Sequence, residues 1–406
     1  MDSPLLRLTR ALCKLGQTVP PACPGFQPAP IVCRLAPQGR SRPSSNRRRT
    51  FCDCASTIVV LLLSPLDLAA PCSPPRVPLP PPSNCLMKLR LSCLALVSMA
   101  VVIAPLHAET SQRYDFTGAG MATTFRISVY APSPESADAA AAACFDRIKE
   151  LNDRFTDYTP TSELMRLCAP GTKYPVPVSA DLLAVLLRAR QLAELSNGAF
   201  DPTCGHLSQL WRRAKRRREL PPSDRLAKAL HATDWRRLTV DAATSTVTLA
   251  PGTLLDLGGI AKGYAADQCL DLLRRRGLNR AVVQAGGDTA VGDAPPGERG
   301  WEVKLRTSSK VDAEEDLETL RVSNCGVSTS GDLYQFVLID GIRYSHILSP
   351  STGLGLTERI SCSVIAPDTA TSDALATAMC VLGARKGTAL VPNLPGVRVK
   401  FAPPDS

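Results

Sequence analysis

Four stretches of this chain hold residues whose types and spacing could do chemistry. LDLGGIAKGY (255–264) sets an acid, Asp256, just before two glycines and a lysine, Lys262, just after them. Free N–H groups at a helix start can meet an anion, and a nearby ammonium adds charge. A glycine-permitted turn with a solvated lysine is the competing reading. The stretch is not a P-loop, because its glycine-to-lysine spacing is too short and no Ser or Thr follows the lysine. Asp373 and Thr377 stand at i and i+4, which on a helix puts a carboxylate and a hydroxyl on one face. Such oxygens suit a hard cation such as Mg²⁺; equally, an acid in a first helical turn can simply complement the helix dipole. His346, in RYSHILSPSTG, has the chemistry of a general base or of a hydrogen-bonded structural histidine. VSTSGD (327–332) offers three hydroxyls and a carboxylate, for a polar site or a turn.

Other chemistries drop out. GAGMAT (118–123) starts like a dinucleotide fingerprint but lacks the third glycine and precedes a strand instead of following one. No HExxH occurs, which argues against a zinc hydrolase, and no GxSxG elbow is found. The seven cysteines after residue 108 form no CxxC pair, so zinc spacing is missing. Their odd number, in an oxidising compartment, implies a free thiol or an intermolecular bridge. Cys269, Cys362 and Cys380 lie in apolar runs and read as small core residues.

These residues must be positioned by a mixture of strands and helices. TTFRISVY (123–130) alternates as a half-buried strand does, and 136–152 and 179–198 read as helices, the second with Ser179 as N-cap and Gly198 past its end. RRLTVD and STVTLA read as a hairpin around 241–244, and QFVLIDGIRYSHIL (335–348) as another, turning at Asp340-Gly341. LDLGG reads as a strand end and turn into a helix ending near Gly277. NRAVVQAGG (279–287), WEVKLR (301–306) and RISCSVIA (360–367) read as strands, and 371–387 as a helix. Without strict βαβ alternation, the class is α+β.

Residues 1–86 differ from the rest, with 16 prolines, 7 cysteines and arginine clusters. Proline at that density sustains neither helices nor central strands. MKLRLSCLALVSMAVVIAPLHA (87–108) has the basic start, apolar middle and small final residue of a secretory signal peptide. It points to translation from Met87 and an exported, periplasmic protein spanning 109–406, soluble or loosely attached to the membrane; a tail ahead of a membrane anchor is the alternative. Of the net charge of +10, +9 resides in the first 108 residues, which hold 12 of the 47 Lys/Arg and 3 of the 37 Asp/Glu. The remainder carries 35 and 34, which removes the global argument for a nucleic-acid partner. One basic run stays, RRAKRRR at 212–218, a solvated face or a contact for an anionic partner or membrane.

Taken in order, GMATTF, LNDRFTDY, GAFDPT, LDLGGIAKGYAAD, QAGGD, VSTSGD, RYSHILSPSTG and SVIAPDTATSDALATA resemble the ApbE family of FAD:protein FMN transferases from about Gly118 to Gly387. The resemblance implies a single α+β domain of mixed sheets and helices, forming two lobes around an FAD/Mg cleft. It implies transfer of FMN from FAD, with Mg²⁺, to a Thr or Ser hydroxyl, releasing AMP. The acceptor would be an exported subunit of a membrane electron-transfer complex with a D-x-x-S/T-type motif. Met121, Tyr158, Ala199, Phe200, Asp201, Asp256 and Lys262 would contact FAD, with Ile347 beside the nucleotide. The Gly259 carbonyl, Asp373 and Thr377 would ligate Mg²⁺, His346 would be the base, and Thr329, Ser330, Gly331 and Asp332 would line the same cleft. Three departures stand out: Ala122 for a glycine, Cys204-Gly205-His206 for the usual V-G-P, and Ser349 for an aspartate after the histidine. FAD hydrolysis to FMN and AMP, or FAD binding without catalysis as an assembly factor, are the competing activities.

Overall fold

The computed structural model describes residues 111–306, 317–332 and 335–402; the Pro/Cys-rich stretch 1–86 and the expected signal peptide at 87–108 lie outside them. The chain opens with β1 (Gln112–Gly120) and β2 (Thr123–Ala131), an antiparallel hairpin in which Gly120 faces Thr123. Phe125, Ile127, Val129 and Ala131 alternate inward along β2 and are buried. The two-residue turn is Met121-Ala122, with φ of 47° and 56°. Positive φ at both central residues matches the right-handed twist of the strands, but Cβ makes it costly for anything except Gly, Asn or Asp. Replacing Ala122 with Gly relieves that strain while loosening the unfolded chain, so Ala122→Gly is expected to stabilise the fold by about 0.5–1 kcal/mol, read from denaturant midpoints at constant m-value.

The main sheet has seven strands in the order β1-β2-β6-β7-β10-β13-β14, every pair antiparallel. Its later members are β6 (Ala281–Ala285), β7 (Asp288–Val291), β10 (Cys325–Gly331), β13 (Ser361–Ala366) and β14 (Arg398–Phe401). One face packs on α1 (Pro134–Phe155), α6 (Ala261–Arg275) and α7 (Thr369–Leu390). Phe125, Val283, Ala290 and Val364 meet Cys144, Cys269 and Leu375 there in the principal core. The other face is partly covered by the hairpin of β8 (Trp301–Arg306) and β9 (Leu317–Val322), through a smaller cluster of Val291, Trp301, Val327 and Ile365. This antiparallel arrangement realises the expected α+β class.

The remaining elements frame one end of the sheet. They are α2 (Glu163–Leu167), α3 (Ala180–Leu195), α4 (Gly205–Arg217), α5 (Ser223–His231), a small sheet of β3 (Val176–Pro177), β4 (Leu238–Asp241) and β5 (Thr246–Leu249), and the hairpin β11 (Phe336–Ile339) and β12 (Ile342–Ser345). Ser179 caps α3 through Leu182 N–H (3.3 Å). Asp340 and Gly341 form the expected two-residue turn of β11–β12, with φ of 49° and 76°. LDLGG departs from expectation: it is no strand. Leu254 makes an isolated bridge with Cys204, and Leu255 and Leu257 anchor an irregular segment in the core. VSTSGD also departs, being most of strand β10. All seven cysteines of the described residues are free thiols, with Cys144, Cys269, Cys362 and Cys380 buried.

Candidate active site

Two helix starts meet in the middle of the site. Asp368 caps α7, accepting Thr371 N–H at 2.8 Å, and Asp267 of α6 accepts the Thr369 and Ala370 N–H groups at 2.9 Å. Burial pushes Asp267 up to about 6 in spite of those bonds. So held, α7 places Asp373 in its second turn and Thr377 one turn further, on the same face. Close approach of α6 depends on Gly263, where a Cβ would lie 2.3 Å from the Thr369 carbonyl oxygen. Gly263→Ala must therefore push the two helices apart, and is expected to lower stability by about 2–3 kcal/mol in denaturant unfolding.

Lys262 is the electrostatic centre. Its ammonium lies 2.9 Å from Asp288 Oδ2, 3.1 Å from Asp373 Oδ2 and 3.4 Å from the Gly258 carbonyl. Burial opposes its charge, but Asp288 and Asp373 together outweigh burial and hold it above the usual lysine range. Asp373 is 2% exposed and also accepts the Gly263 N–H at 3.1 Å. Burial, then repulsion from Asp288, raise it to about 7 against the pull of Lys262. Two buried acids thus share one ammonium.

The residues around that cluster fit a hard metal ion. Thr377 Oγ1 lies 3.3 Å from Ser330 Oγ. A Cβ built on Gly259 would sit 3.5 Å from Thr377 Oγ1 and 3.3 Å from Phe200, so only a glycine leaves that space open. Carboxylate, hydroxyl and carbonyl oxygen make a donor set suited to Mg²⁺. Among the described residues no cluster of three or more His, Cys, Asp and Glu offers a softer alternative.

His346 follows β12. Its Nδ1 is 3.2 Å from the Gln335 carbonyl, which also accepts the His346 N–H at 2.8 Å. A carbonyl can only accept, so Nδ1 carries the proton and Nε2 is left as a proton acceptor. Burial, reinforced by Lys215 and Lys262, lowers its pKa below 6.5 and keeps the ring neutral at pH 7. Ile347 is buried, and its N–H donates to Ser345 Oγ at 3.0 Å. Ser349, where the resemblance anticipates an aspartate, is buried too; its hydroxyl lies 2.9 Å from Ser351 Oγ and its carbonyl closes the turn from Gly353 N–H at 2.8 Å.

On the rim, the Tyr158 ring is 73% exposed with the Arg212 guanidinium 4.5 Å from its centre, and Arg212 is bound to Asp157. An aromatic face presented in this way can stack on a planar ring system. Asp256 accepts the Gly258 N–H at 2.7 Å and shapes the loop before α6. The Met121 turn is tied to Gly286, whose N–H donates to Thr124 O at 3.2 Å, two residues before Asp288. Ala199 and Phe200 are buried in the core beneath Gly259.

The structure gives four of these residues particular protein partners. Thr329 does not face Thr377: strand alternation turns it to the opposite side of the sheet, where it bonds Ser363 (2.8 Å) and lines a separate cavity of about 1070 Å³ beneath β8 and β9. Ser330 is the residue of that segment aimed at Thr377. Asp201 spends both carboxylate oxygens on Thr203 and the Trp235 N–H (2.9 Å), so it buttresses the Phe200 loop. Asp332, at the end of Gly331, is bound to Arg343 and so ties β10 to β12. Lys262 faces the two acids. Asp288 was missed; the acid after QAGG was its only signal, and the pairing of β7 with β10 is what brings it beside Lys262. Cys204-Gly205-His206 has a local role: a Cβ on Gly205 would strike the Leu254 carbonyl (2.7 Å), and the His206 ring meets the Gly252 carbonyl (3.0 Å).

A half-buried lysine between two buried carboxylates, an oxygen donor set at a helix start and a neutral histidine on the rim define a polar site suited to charge-neutralising group transfer. The sequence model of the ApbE family matches residues 121–401, and the chain belongs to that family; it is a transferase. The FAD:protein FMN transferase of Treponema pallidum is 36% identical over 299 residues, 70% of this chain and 82% of that protein. That of Vibrio cholerae is 31% identical over 73% of this chain and 89% of its own length. Among solved structures, the Vibrio cholerae flavin transferase ApbE superposes with TM-score 0.63 and 27% identity over 72% of this chain and 93% of that one. The apo form of the Pseudomonas stutzeri flavinyl transferase ApbE gives 0.65 and 26% over 73% and 92%.

Proposed function

We propose that this chain transfers the FMN half of FAD, in a Mg²⁺-dependent reaction, to a Thr or Ser hydroxyl of an exported protein of a membrane redox complex, with release of AMP. The carrying observation is the Lys262–Asp288–Asp373 cluster, two carboxylates on one ammonium, flanked by Thr377 and the open space at Gly259. Asp373, Thr377 and the Gly259 carbonyl would hold the ion. Bound there, Mg²⁺ supplies charge neutralisation for the pyrophosphate of FAD. The chain's own residues do the rest. Tyr158 offers a stacking face, and Phe200 lies beneath Gly259. Lys262 holds the two acids in register. His346 Nε2 takes the proton from the acceptor hydroxyl, a poor nucleophile without a base.

Balance requires that the acceptor oxygen form a bond to the FMN phosphorus as the pyrophosphate P–O bond breaks, with the electron pair leaving on AMP. The signal-peptide reading of 87–108 supports a periplasmic place of action. The competing activity is hydrolysis, in which water replaces the hydroxyl. Measuring AMP from FAD and Mg²⁺ with and without an acceptor separates them: transfer predicts AMP matched mole for mole by flavinylated acceptor and little release without it. Equal AMP in both would establish a pyrophosphatase.

A further inference from the structure

The cavity of about 1070 Å³ on the far side of the main sheet takes no part in the site described. Phe125, Ile127 and Val129 of β2 point into the principal core, so Arg126 and Tyr130 between and beyond them point to the other face. Gln284 of β6 and Thr289 of β7 line the same cavity. The register sets these side chains in one row: Thr117 stands opposite Arg126, Arg126 opposite Gln284, and Gln284 opposite Thr289. Directly opposed residues have Cβ atoms about 4.5–5.5 Å apart, so a guanidinium, an amide and two hydroxyls form a continuous polar floor. Thr289 is 8% exposed, yet its hydroxyl has no hydrogen-bond partner among the described residues, and neither has the Gln284 amide. Buried polar side chains are ordinarily bonded, and these two can be satisfied only by something that enters the cavity.

The β8–β9 hairpin supplies a wall. Trp301 lines the cavity beside Tyr130, their ring centres 5.9 Å apart, and its indole N–H is fixed on the Asp293 carbonyl at 2.8 Å. Four cations and three acids line the cavity, so its charge is positive. The acids are all matched: Asp115 by Arg113 at 2.9 Å, Glu302 by Arg321 at 2.7 Å, and Glu298 by the same Arg321. Arg126 on the floor and Lys304 on the hairpin have no acidic partner among the described residues. The cavity therefore offers two uncommitted positive charges, hydroxyl and amide donors, and a fixed aromatic wall. A concave space with a few placed polar groups among apolar ones is the ordinary make-up of a small-molecule site.

We propose that this cavity binds a small phosphate monoester carrying a planar ring, at a site separate from the Lys262–Asp288–Asp373 cluster. The planar guanidinium of Arg126 matches a pair of phosphate oxygens, and Lys304 adds the second charge. Gln284 and Thr289 donate to the oxygens that remain. Trp301 and Tyr130 pack against the ring. Two uncommitted cations favour a doubly charged phosphate over a singly charged carboxylate, which sets the class of ligand. The separation of the two sites follows from strand alternation: Asp288 faces Lys262, while its neighbour Thr289 faces the cavity. The inference stands apart from the transferase reading and uses none of its residues.

Isothermal titration calorimetry of the purified chain with phenyl phosphate, inorganic phosphate and benzoate tests the proposal. Phenyl phosphate is expected to bind at one equivalent and about tenfold more tightly than inorganic phosphate, the size of one aromatic contact. It should exceed benzoate, which carries a single charge, by a similar factor. Arg126→Gln changes an exposed side chain and leaves the core alone, and should weaken phenyl phosphate about tenfold or more. Thr289→Val keeps the shape, removes the hydroxyl, and should weaken it about tenfold. Asp373→Asn, across the sheet, should leave phenyl phosphate binding unchanged, and Arg126→Gln should leave FAD affinity unchanged. Full binding by both cavity variants would overturn the site, as would loss of binding in Asp373→Asn, which would place the phosphate at the Lys262 cluster. Benzoate or inorganic phosphate binding as tightly as phenyl phosphate would overturn the ligand class. No saturable heat below about 10 mM would overturn the proposal as a whole.

Discussion

Asp373→Asn is expected to abolish flavin transfer, lowering kcat by at least about 10³-fold, which corresponds to roughly 4 kcal/mol of transition-state stabilisation. Asn keeps an oxygen for the Gly263 N–H but removes the charge and the anionic donor offered to Mg²⁺. The fold should survive, because Lys262 retains Asp288 at 2.9 Å. Unfolding midpoints close to the parent's, together with loss of turnover that excess Mg²⁺ does not restore, are the expected pair of results. Normal transfer by this variant would show that Asp373 holds no metal. The size of the effect follows from its place: a carboxylate 2% exposed, sharing a low-dielectric pocket, acts far more strongly than it would in water.

His346→Gln is the second large effect. Glutamine can keep the hydrogen bond to the Gln335 carbonyl but has no basic nitrogen in place of Nε2. Loss of a general base costs about 10²–10⁴ in rate, and FAD affinity should be little altered. The pH profile gives an independent readout. Burial lowers the His346 pKa, so the imidazole is free base at neutral pH and becomes protonated only below 6.5. Activity of the parent should therefore be flat near pH 7 and fall as pH drops through that lowered value. In His346→Gln the limb due to this group should vanish. An unchanged acidic limb in the variant would assign it to another group.

Much of the fold could be read from the sequence because local signals agreed. Alternation marked β2, Ser179 marked the start of α3, and Asp340-Gly341 marked a hairpin that forms as expected. What escaped depended on long-range pairing. VSTSGD has no apolar alternation to announce a strand, so nothing in it distinguished the side of Thr329 from the side of Ser330. Only the register with β13, Thr329 opposite Ser363, decides it. Asp288 was hidden for the same reason, being ordinary in sequence and important only where β7 meets β10. Asp201 shows another limit of sequence: nothing in its conspicuous loop announced that Thr203 and Trp235 hold its carboxylate. Ala122 was legible as a departure, and its cost became clear once both turn residues showed positive φ. The family motifs located the cluster of Lys262, Asp373 and Thr377, while the third member of its charge balance came from the structure.

The central claim is that this site moves FMN from FAD to a protein hydroxyl and needs a divalent cation to do so. Its most direct test is the intact mass of an exported acceptor protein after incubation with the chain and FAD, with Mg²⁺ or with EDTA. The account predicts an acceptor heavier by one phosphoester-linked FMN with Mg²⁺, equimolar AMP, and no change of mass in EDTA. An acceptor of unchanged mass while FAD is consumed, or full modification in EDTA, would contradict it.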